Sequence, residues 1–379
     1  MKVGFICFHS FVKPGGVKNH ILGLSKEFEK RGIETKIIVP RRKFRENYGK
    51  NVIIMGTSFP FNIGGTQGDF CMNFNPFSIR KILKKEKFDI LHFHNFIVPS
   101  AWQILEVQKT IKNDTCNILT FHANLDGIPV LKSLPYFSKI FVKRLNERVD
   151  GIIGVANLTL KLFRNYKKPR RVIANGISLE EFNPEIKGMQ RFNDGKINLL
   201  FVGRIEERKG LIYLLEAYKI LEEKYDNLRL IVVGDGPLKK DCEHFCRCAD
   251  LKNVVFEGQR QGVSMAKYFN SCDIFCSPAI FGESFGIVLL EAMACKKPVC
   301  GFSNLGYKEL LAGTKGAEFL AEPRDSVALA LILQRLISDE KLRKDMGGWG
   351  LETAKKYSWE RIADEVLDFY KVCREKKNN

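Results

Sequence analysis

Short β-branched or apolar runs separated by segments of helical period limit what this chain can fold into more than any other feature. Strands are expected near 2–8, 35–39, 89–94, 117–121, 151–155 and 171–173. The stretches between several of them are amphipathic: over 17–31, Val17, Leu22, Leu24 and Phe28 fall to one side of a helix. A second series begins at Ile197-Asn198-Leu199-Leu200-Phe201-Val202 and continues through 228–233, 253–256, 273–276 and 298–300. Strand and helix in alternation predict a parallel α/β architecture. The turn-rich stretch 176–196, with Gly176, Asn183, Pro184, Gly188 and Gly195, reads as a linker between two doubly wound domains. A chain of 379 residues suits that number at about 150 residues each. Ligands of such sheets sit at the carboxyl ends of the strands, so the cleft between the domains is the expected site.

Composition narrows the class. Apolar residues make up 45% and aromatic residues 11%, enough to build cores, which argues against disorder. No apolar run approaches the roughly 18 residues that would span a membrane. The start, Met1 to Phe8, is apolar, but His9 interrupts it and no small-residue cleavage site follows, so it reads as a first strand and the protein is expected in the cytoplasm. Eleven cysteines spread along so long a chain, several inside apolar runs, read as buried reduced thiols. The spacings Cys242-x3-Cys246-x-Cys248 and Cys272-x3-Cys276 do not match a zinc ribbon. Charge is unevenly placed: residues 1–180 carry 30 Lys/Arg against 13 Asp/Glu, and nearly all of the net +18 lies there. A basic half points to an anionic partner, whether nucleic acid, acidic membrane or phosphorylated substrate.

Several motifs carry chemistry. Pro14-Gly15-Gly16-Val17 follows the first strand and opens the first helix, where small residues and free amides admit an anion; it is equally a tight turn. Arg204 and Lys209 lie just past the strand ending at Val202-Gly203, and two cations there suit a diphosphate or make a solvated loop with Glu206, Glu207 and Arg208. In Phe281-Gly282-Glu283-Ser284-Phe285-Gly286-Ile287 a glycine-rich loop with a carboxylate feeds a helix that carries Glu291 two turns in. Carboxylates accept hydrogen bonds from sugar hydroxyls, and a pair at opposite ends of a nucleotide-sugar makes chemical sense. His122 follows the strand at 117–121, and His92 and His94 end another on one face. Three imidazoles near strand ends suit zinc, or are satisfied core histidines. Gly234-Asp235-Gly236-Pro237 reads as turn chemistry.

Taken in order, the Gly15-Gly16 loop, His122, Val202-Gly203-Arg204 with Lys209, Gly234-Asp235-Gly236-Pro237 and Glu283-x7-Glu291 resemble the retaining glycosyltransferases of the GT4 type. The resemblance runs over nearly the whole chain and is densest in 197–310. The segments at 8–17 and 282–288 look most like the bacterial phosphatidylinositol mannosyltransferases. It implies a GT-B fold of two Rossmann-like domains facing a cleft: 1–180 on the acceptor side, 181–357 for the nucleotide-sugar, and a helix over 358–379 crossing back.

By the same resemblance Arg204 and Lys209 hold the donor diphosphate, Glu283 lies by the donor sugar, and Ser284, Phe285, Gly286 and Ile287 offer amides to sugar and phosphate. Glu291 receives the ribose, Gly258-Gln259-Arg260 meet the base, Gly16 approaches the phosphates from the other domain, and His122 lies near the transferred sugar and acceptor. Retention is carried over from the family. No Asp-x-Asp motif is present, so no catalytic metal and no cofactor is expected beyond the nucleotide-diphosphate sugar as co-substrate. On the acceptor side the chain departs from that pattern. His9 and Val12 replace an aromatic and an acidic residue, and Ala123-Asn124-Leu125-Asp126-Gly127 follows His122 in place of a polar run ending in lysine.

The expected activity is transfer of a mannose- or glucose-type hexose to a membrane lipid or glycan. The alternatives are an anionic-lipid or nucleic-acid binding protein without catalysis, which does not explain the two cations and two glutamates together, and a sugar-nucleotide epimerase. No nucleic-acid partner is expected. Two basic amphipathic segments favour an anionic membrane surface, on the inner face of the membrane. Residues 77–87 place Ile79, Ile82 and Leu83 in a stripe among Arg80, Lys81, Lys84, Lys85 and Lys87. Residues 131–145 set Leu134, Phe137, Phe141 and Leu145 beside Lys132, Lys139, Lys143 and Arg144.

Overall fold

In the first strand Val3, Phe5 and Cys7 point into one apolar cluster while Ile6 and Phe8 point into another on the opposite face. Ile37 and Val39 against Ile38 repeat the pattern. Strands apolar on both faces belong in the middle of a sheet covered on both sides by helices. In the computed structural model this is what they form. It describes residues 1–8, 11, 15–43, 46–63, 66–111, 113–123, 135–260 and 262–378, with backbone alone at 60–63, 66–69, 135–139 and 263.

The first sheet has eight strands: β1 (Lys2–Cys7), β2 (Glu34–Arg41), β3 (Val52–Ile63), β4 (Thr66–Met72), β5 (Ile90–His94), β6 (Cys116–Phe121), β7 (Gly151–Gly154) and β8 (Arg170–Val172). Their spatial order is β4-β3-β2-β1-β5-β6-β7-β8, and only the β3–β4 pair is antiparallel. The second sheet comprises β9 (Ile197–Val202), β10 (Leu228–Val233), β11 (Val254–Gly258), β12 (Ile274–Ser277), β13 (Val299–Phe302) and β14 (Leu320–Ala321), in the order β11-β10-β9-β12-β13-β14. Both are Rossmann-like, and their order reverses between β1 and β5 and between β9 and β12. Those two switch points are where an open α/β sheet leaves a crevice at its strand ends.

The chain divides into two compact units, Met1–Gly176 with Trp359–Asn379, and Ile177–Ser358. The segment read as a linker is mostly packed on the second unit: Phe182 meets Phe269 edge-on and Phe192 lies tilted against Tyr268. The helix Trp359–Asn378 lays Ile362, Val366, Phe369 and Tyr370 onto the first sheet in the cluster that holds Val3 and Phe5. The first helix, Gly16–Lys30, buries His20, Ile21, Leu24 and Phe28. Leu22, expected on that stripe, is exposed instead, because at 100° per residue Ile21 and not Leu22 lines up with Leu24 and Phe28. The hairpin β3–β4 and the short β14 had no counterpart among the expected strands.

All eleven cysteines are free thiols, ten of them buried and Cys248 exposed. Burial pushes Cys242 up to about 12 and Cys246 up to about 11, so both stay protonated at neutral pH. Among the described residues no helix is long and apolar enough to cross a membrane.

Candidate active site

The loops after β9 and β12 leave their sheet side by side at the second switch point, and the backbone ties them together. Ile280 N donates to Arg208 O at 2.8 Å. The loop after β10 closes the other flank: Gly203 N donates to Val233 O and Ile205 N to Asp235 O, each at 3.0 Å. Gly234, at φ 154°, is what permits this approach, since a Cβ there would lie 1.8 Å from Gly203 O. The turn Gly234-Asp235-Gly236-Pro237 is therefore a clamp on the loop that carries Arg204.

On that frame the charged side chains form a chain. Lys209 Nζ donates to Glu283 Oε1 at 2.7 Å and Arg208 Nη1 to the same oxygen at 2.9 Å. Arg208 Nε lies 2.6 Å from Glu206 Oε1, and Arg204 Nη1 lies 3.3 Å from Glu206 Oε2. Glu206 is buried and neither of its oxygens has hydrogen-bonding geometry, so it meets the arginines by charge alone. Three cations against two carboxylates leave a net positive centre at a strand end. Burial works to raise the pKa of Glu283, but Lys209 and Arg208 outweigh it and hold the carboxyl below its usual range.

Gly286, in the left-handed region at φ 100°, caps the helix Ile287–Ala294, and a Cβ there would meet the Tyr307 ring at 2.8 Å. Glu291 sits on this helix. Burial pushes its pKa up to about 8, partly offset by Lys209 and reinforced by Glu181, so at neutral pH the carboxyl is protonated. At the end of β11, Gly258 is left-handed at φ 68° with open space beside it, and Gln259 and Arg260 are exposed. Arg260 Nε donates to Tyr268 OH at 3.2 Å, and that hydroxyl donates to Glu257 at 2.7 Å.

The first unit carries the remaining candidates. Gly15 and Gly16 begin the first helix in open space. One turn in, His20 Nδ1 donates to Asn175 Oδ1 at 2.9 Å, and its ring lies 4.8 Å from that of His122 and 5.3 Å from that of His94. His94 Nδ1 and His122 Nε2 share a hydrogen bond of 3.0 Å. His92 stands apart chemically, one nitrogen 2.6 Å from Thr120 Oγ1 and the other 2.6 Å from Tyr370 OH. Burial drives His20 down to about 4 and takes His92 and His94 well below the ordinary imidazole range, with neighbouring rings adding to the effect on the last two. All three are neutral.

The structure thus brings Arg204, Lys209, Glu283 and Glu291 together in the second unit, with Ser284, Phe285, Gly286 and Ile287 on the connecting loop, and groups His122 with His94 in the first. Arg208, read only as part of a solvated loop, pairs with Glu206 and Glu283, and His20 was not singled out at all. A glutamate two residues before an arginine and three before a lysine was the available signal for the first; the second had none beyond its place on the first helix. His9 and Asn124, expected on the acceptor side, lie outside the described residues, as do Val12, Pro14, Lys132 and Leu134.

A pair of parallel-sheet, Rossmann-like domains with a cationic loop and a glutamate-bearing loop at one switch point defines a GT-B glycosyltransferase. The chain belongs to the GT4-type glycosyltransferases: residues 14–181 match Glycosyltransferase Family 4 and residues 182–351 match Glycosyl transferases group 1. It is 30% identical to a phosphatidyl-myo-inositol mannosyltransferase of Mycobacterium leprae over 98% of this chain and 97% of that protein. It is also 30% identical to an uncharacterized glycosyltransferase of Methanocaldococcus jannaschii over 94% of each. Among solved structures, sucrose-phosphate synthase from Thermosynechococcus elongatus superposes with a TM-score of 0.73 at 20% identity over 98% of both chains. Anabaena HepE in complex with UDP and glucose superposes with a TM-score of 0.72 at 18% identity over 97% of this chain and 99% of that one. Membership of a sugar-transferring family decides against the nucleic-acid-binding and epimerase readings.

Proposed function

We propose that the protein is a retaining, metal-independent hexosyltransferase that moves a mannose- or glucose-type sugar from a nucleotide-diphosphate donor to a lipid or glycan at an anionic membrane surface. The observation that carries this reading is the chain of ion pairs from Arg204 through Glu206, Arg208 and Glu283 to Lys209. It holds three cations in place where a departing diphosphate gathers charge, so little reorganisation is needed as the bond breaks. Arg204 and Lys209 take the diphosphate, Glu283 turns toward the donor sugar, and the amides of Ser284 to Ile287 meet sugar and phosphate. Glu291 receives the ribose, Gly258, Gln259 and Arg260 the base, and Gly16 the phosphates.

The acceptor hydroxyl attacks the anomeric carbon from the face the diphosphate leaves. The bonding electrons pass to the diphosphate, whose oxygen takes the acceptor proton, and configuration is kept. His122 assists beside the transferred sugar, with His9 and Asn124 on the acceptor side. Side-chain cations meet the diphosphate charge, and no metal or other cofactor is required there.

The acceptor assignment rests on the relative's name and on one surface. Phe74 and Phe77 are 70% and 82% exposed at the start of the helix Pro76–Glu86, and Phe59 and Phe70 of the neighbouring hairpin are also exposed. Arg80, Lys81, Lys84, Lys85 and Lys87 are exposed beside them. Aromatic rings beside lysines suit the interface of an acidic bilayer, and this supports a peripheral position on the cytoplasmic leaflet. The test is nucleoside diphosphate release from a panel of nucleotide-sugars, in chelator, with and without acidic-lipid vesicles, and the product's anomeric configuration read by NMR. Release in chelator with a retained anomer is expected. Silence with every donor, an inverted product or a metal requirement would overturn the corresponding part.

A further inference from the structure

We propose that His20, His94 and His122 form a binding site for one late first-row transition-metal ion of the zinc class. One ring nitrogen from each lies within 4.8 Å of the others. Zinc bound by three imidazoles at about 2.0–2.1 Å needs these atoms drawn somewhat closer, a shift that side-chain rotation supplies. The three rings come from separate places, the first helix, the end of β5 and the residue after β6, so an ion would pin three elements at the first switch point.

Two further observations point to a ligand. His20 and His94 are 2% and 0% exposed, yet Nε2 of each meets no hydrogen-bond partner among the described residues. A buried polar atom left so is costly, and an ion is one way to satisfy it. Moreover, Asn175 Oδ1 accepts from His20 Nδ1 and so fixes the tautomer that turns a lone pair outward at Nε2, the support that metal-bound imidazoles ordinarily receive from a carbonyl or carboxylate. His92, on the same strand as His94, is excluded because Thr120 and Tyr370 occupy both its nitrogens. Three imidazole nitrogen donors favour zinc, nickel, cobalt or copper over magnesium or calcium. This site stands on the first unit and does not depend on the donor assignment.

The test uses the full chain after chelator treatment, titrated with Zn2+ by calorimetry and with Co2+ by the visible spectrum of a low-coordinate ion. One ion per chain is expected. His20→Ala and His122→Ala should each weaken it by about tenfold or more, and Asn175→Ala by about 10–100-fold. His244→Ala tests a competing surface site, since His244 Nε2 lies 3.4 Å from the exposed Cys248 thiol, and should leave the affinity unchanged. Circular dichroism checks each fold; if His20→Ala does not fold, the half-buried His122 decides. Failure of the wild type to take up an ion, or binding that follows His244→Ala and ignores the other three, overturns the proposal.

Discussion

Lys209 and Arg208 converge on a single oxygen of Glu283, so removing either cation leaves that carboxylate with the other. Removing Arg204 likewise leaves Glu206 with Arg208. Lys209→Ala and Arg204→Ala should therefore fold normally while kcat falls by about 10²–10³, the scale of losing one preorganised charge contact; near-normal turnover of both would sink their assignment. Glu291→Ala should weaken binding of the nucleoside diphosphate itself, and Glu283→Ala should spare it while damaging use of the full donor. Calorimetry showing equal losses would refute that division. The raised pKa of Glu291 has a pH signature. The unfolded carboxyl ionises near 4.5, whereas the folded one keeps its proton to about 8, so stability falls as pH rises between those values. Glu291→Gln removes that loss, and its Tm advantage over the wild type should grow from about pH 5 to about pH 8; parallel curves would contradict it. Arg204, Lys209, Glu283 and Glu291 were legible in the sequence because they stand at fixed offsets from strand ends and a glycine-rich loop. Arg208 and Glu206 were not, because which of several neighbouring charges turn inward is decided by how two loops meet.

Secondary-structure elements show the same division. Strands buried on both faces announced themselves as apolar runs, and β9 and β10 have the expected limits. The hairpin β3–β4 was missed because Gly56, Pro60, Gly64 and Gly65 read as turn residues and interrupt the apolar pattern after Val52–Met55. In the helix Pro76–Glu86 the amphipathic stripe was correctly seen and wrongly aimed: Ile79 and Leu83 are buried against the sheet, and Phe77 with Phe74 is the apolar surface left outside. Reversing Lys81, Lys84, Lys85 and Lys87 to Glu should cut sedimentation with acidic vesicles by on the order of a thousandfold, at about 1 kcal/mol per cation, and spare donor hydrolysis. Phe77→Ser should weaken sedimentation without changing its salt dependence. A wild type that fails to sediment at low salt would leave a soluble acceptor as the better reading. Among the loops, Gly234→Ala should cost about 3 kcal/mol, read as a drop in denaturant midpoint, because its Cβ is driven into backbone with nowhere to move.

At the level of the whole molecule the charge belongs to one unit. Met1–Gly176 with Trp359–Asn379 carries 35 Lys/Arg against 17 Asp/Glu, while Ile177–Ser358 carries 26 of each. Non-specific attraction to acidic surfaces should therefore come from the first unit alone, and salt should weaken vesicle binding without weakening nucleotide binding to the same degree. The unit boundaries also bear on how the chain is made. The second unit is one continuous stretch, whereas the first is missing the helix Trp359–Asn378 until the ribosome has passed both. During synthesis the second unit can close first, although it is begun later. Until then the nascent first sheet leaves uncovered the apolar face on which Ile362, Val366 and Phe369 come to rest, an interval in which a chaperone has something to hold.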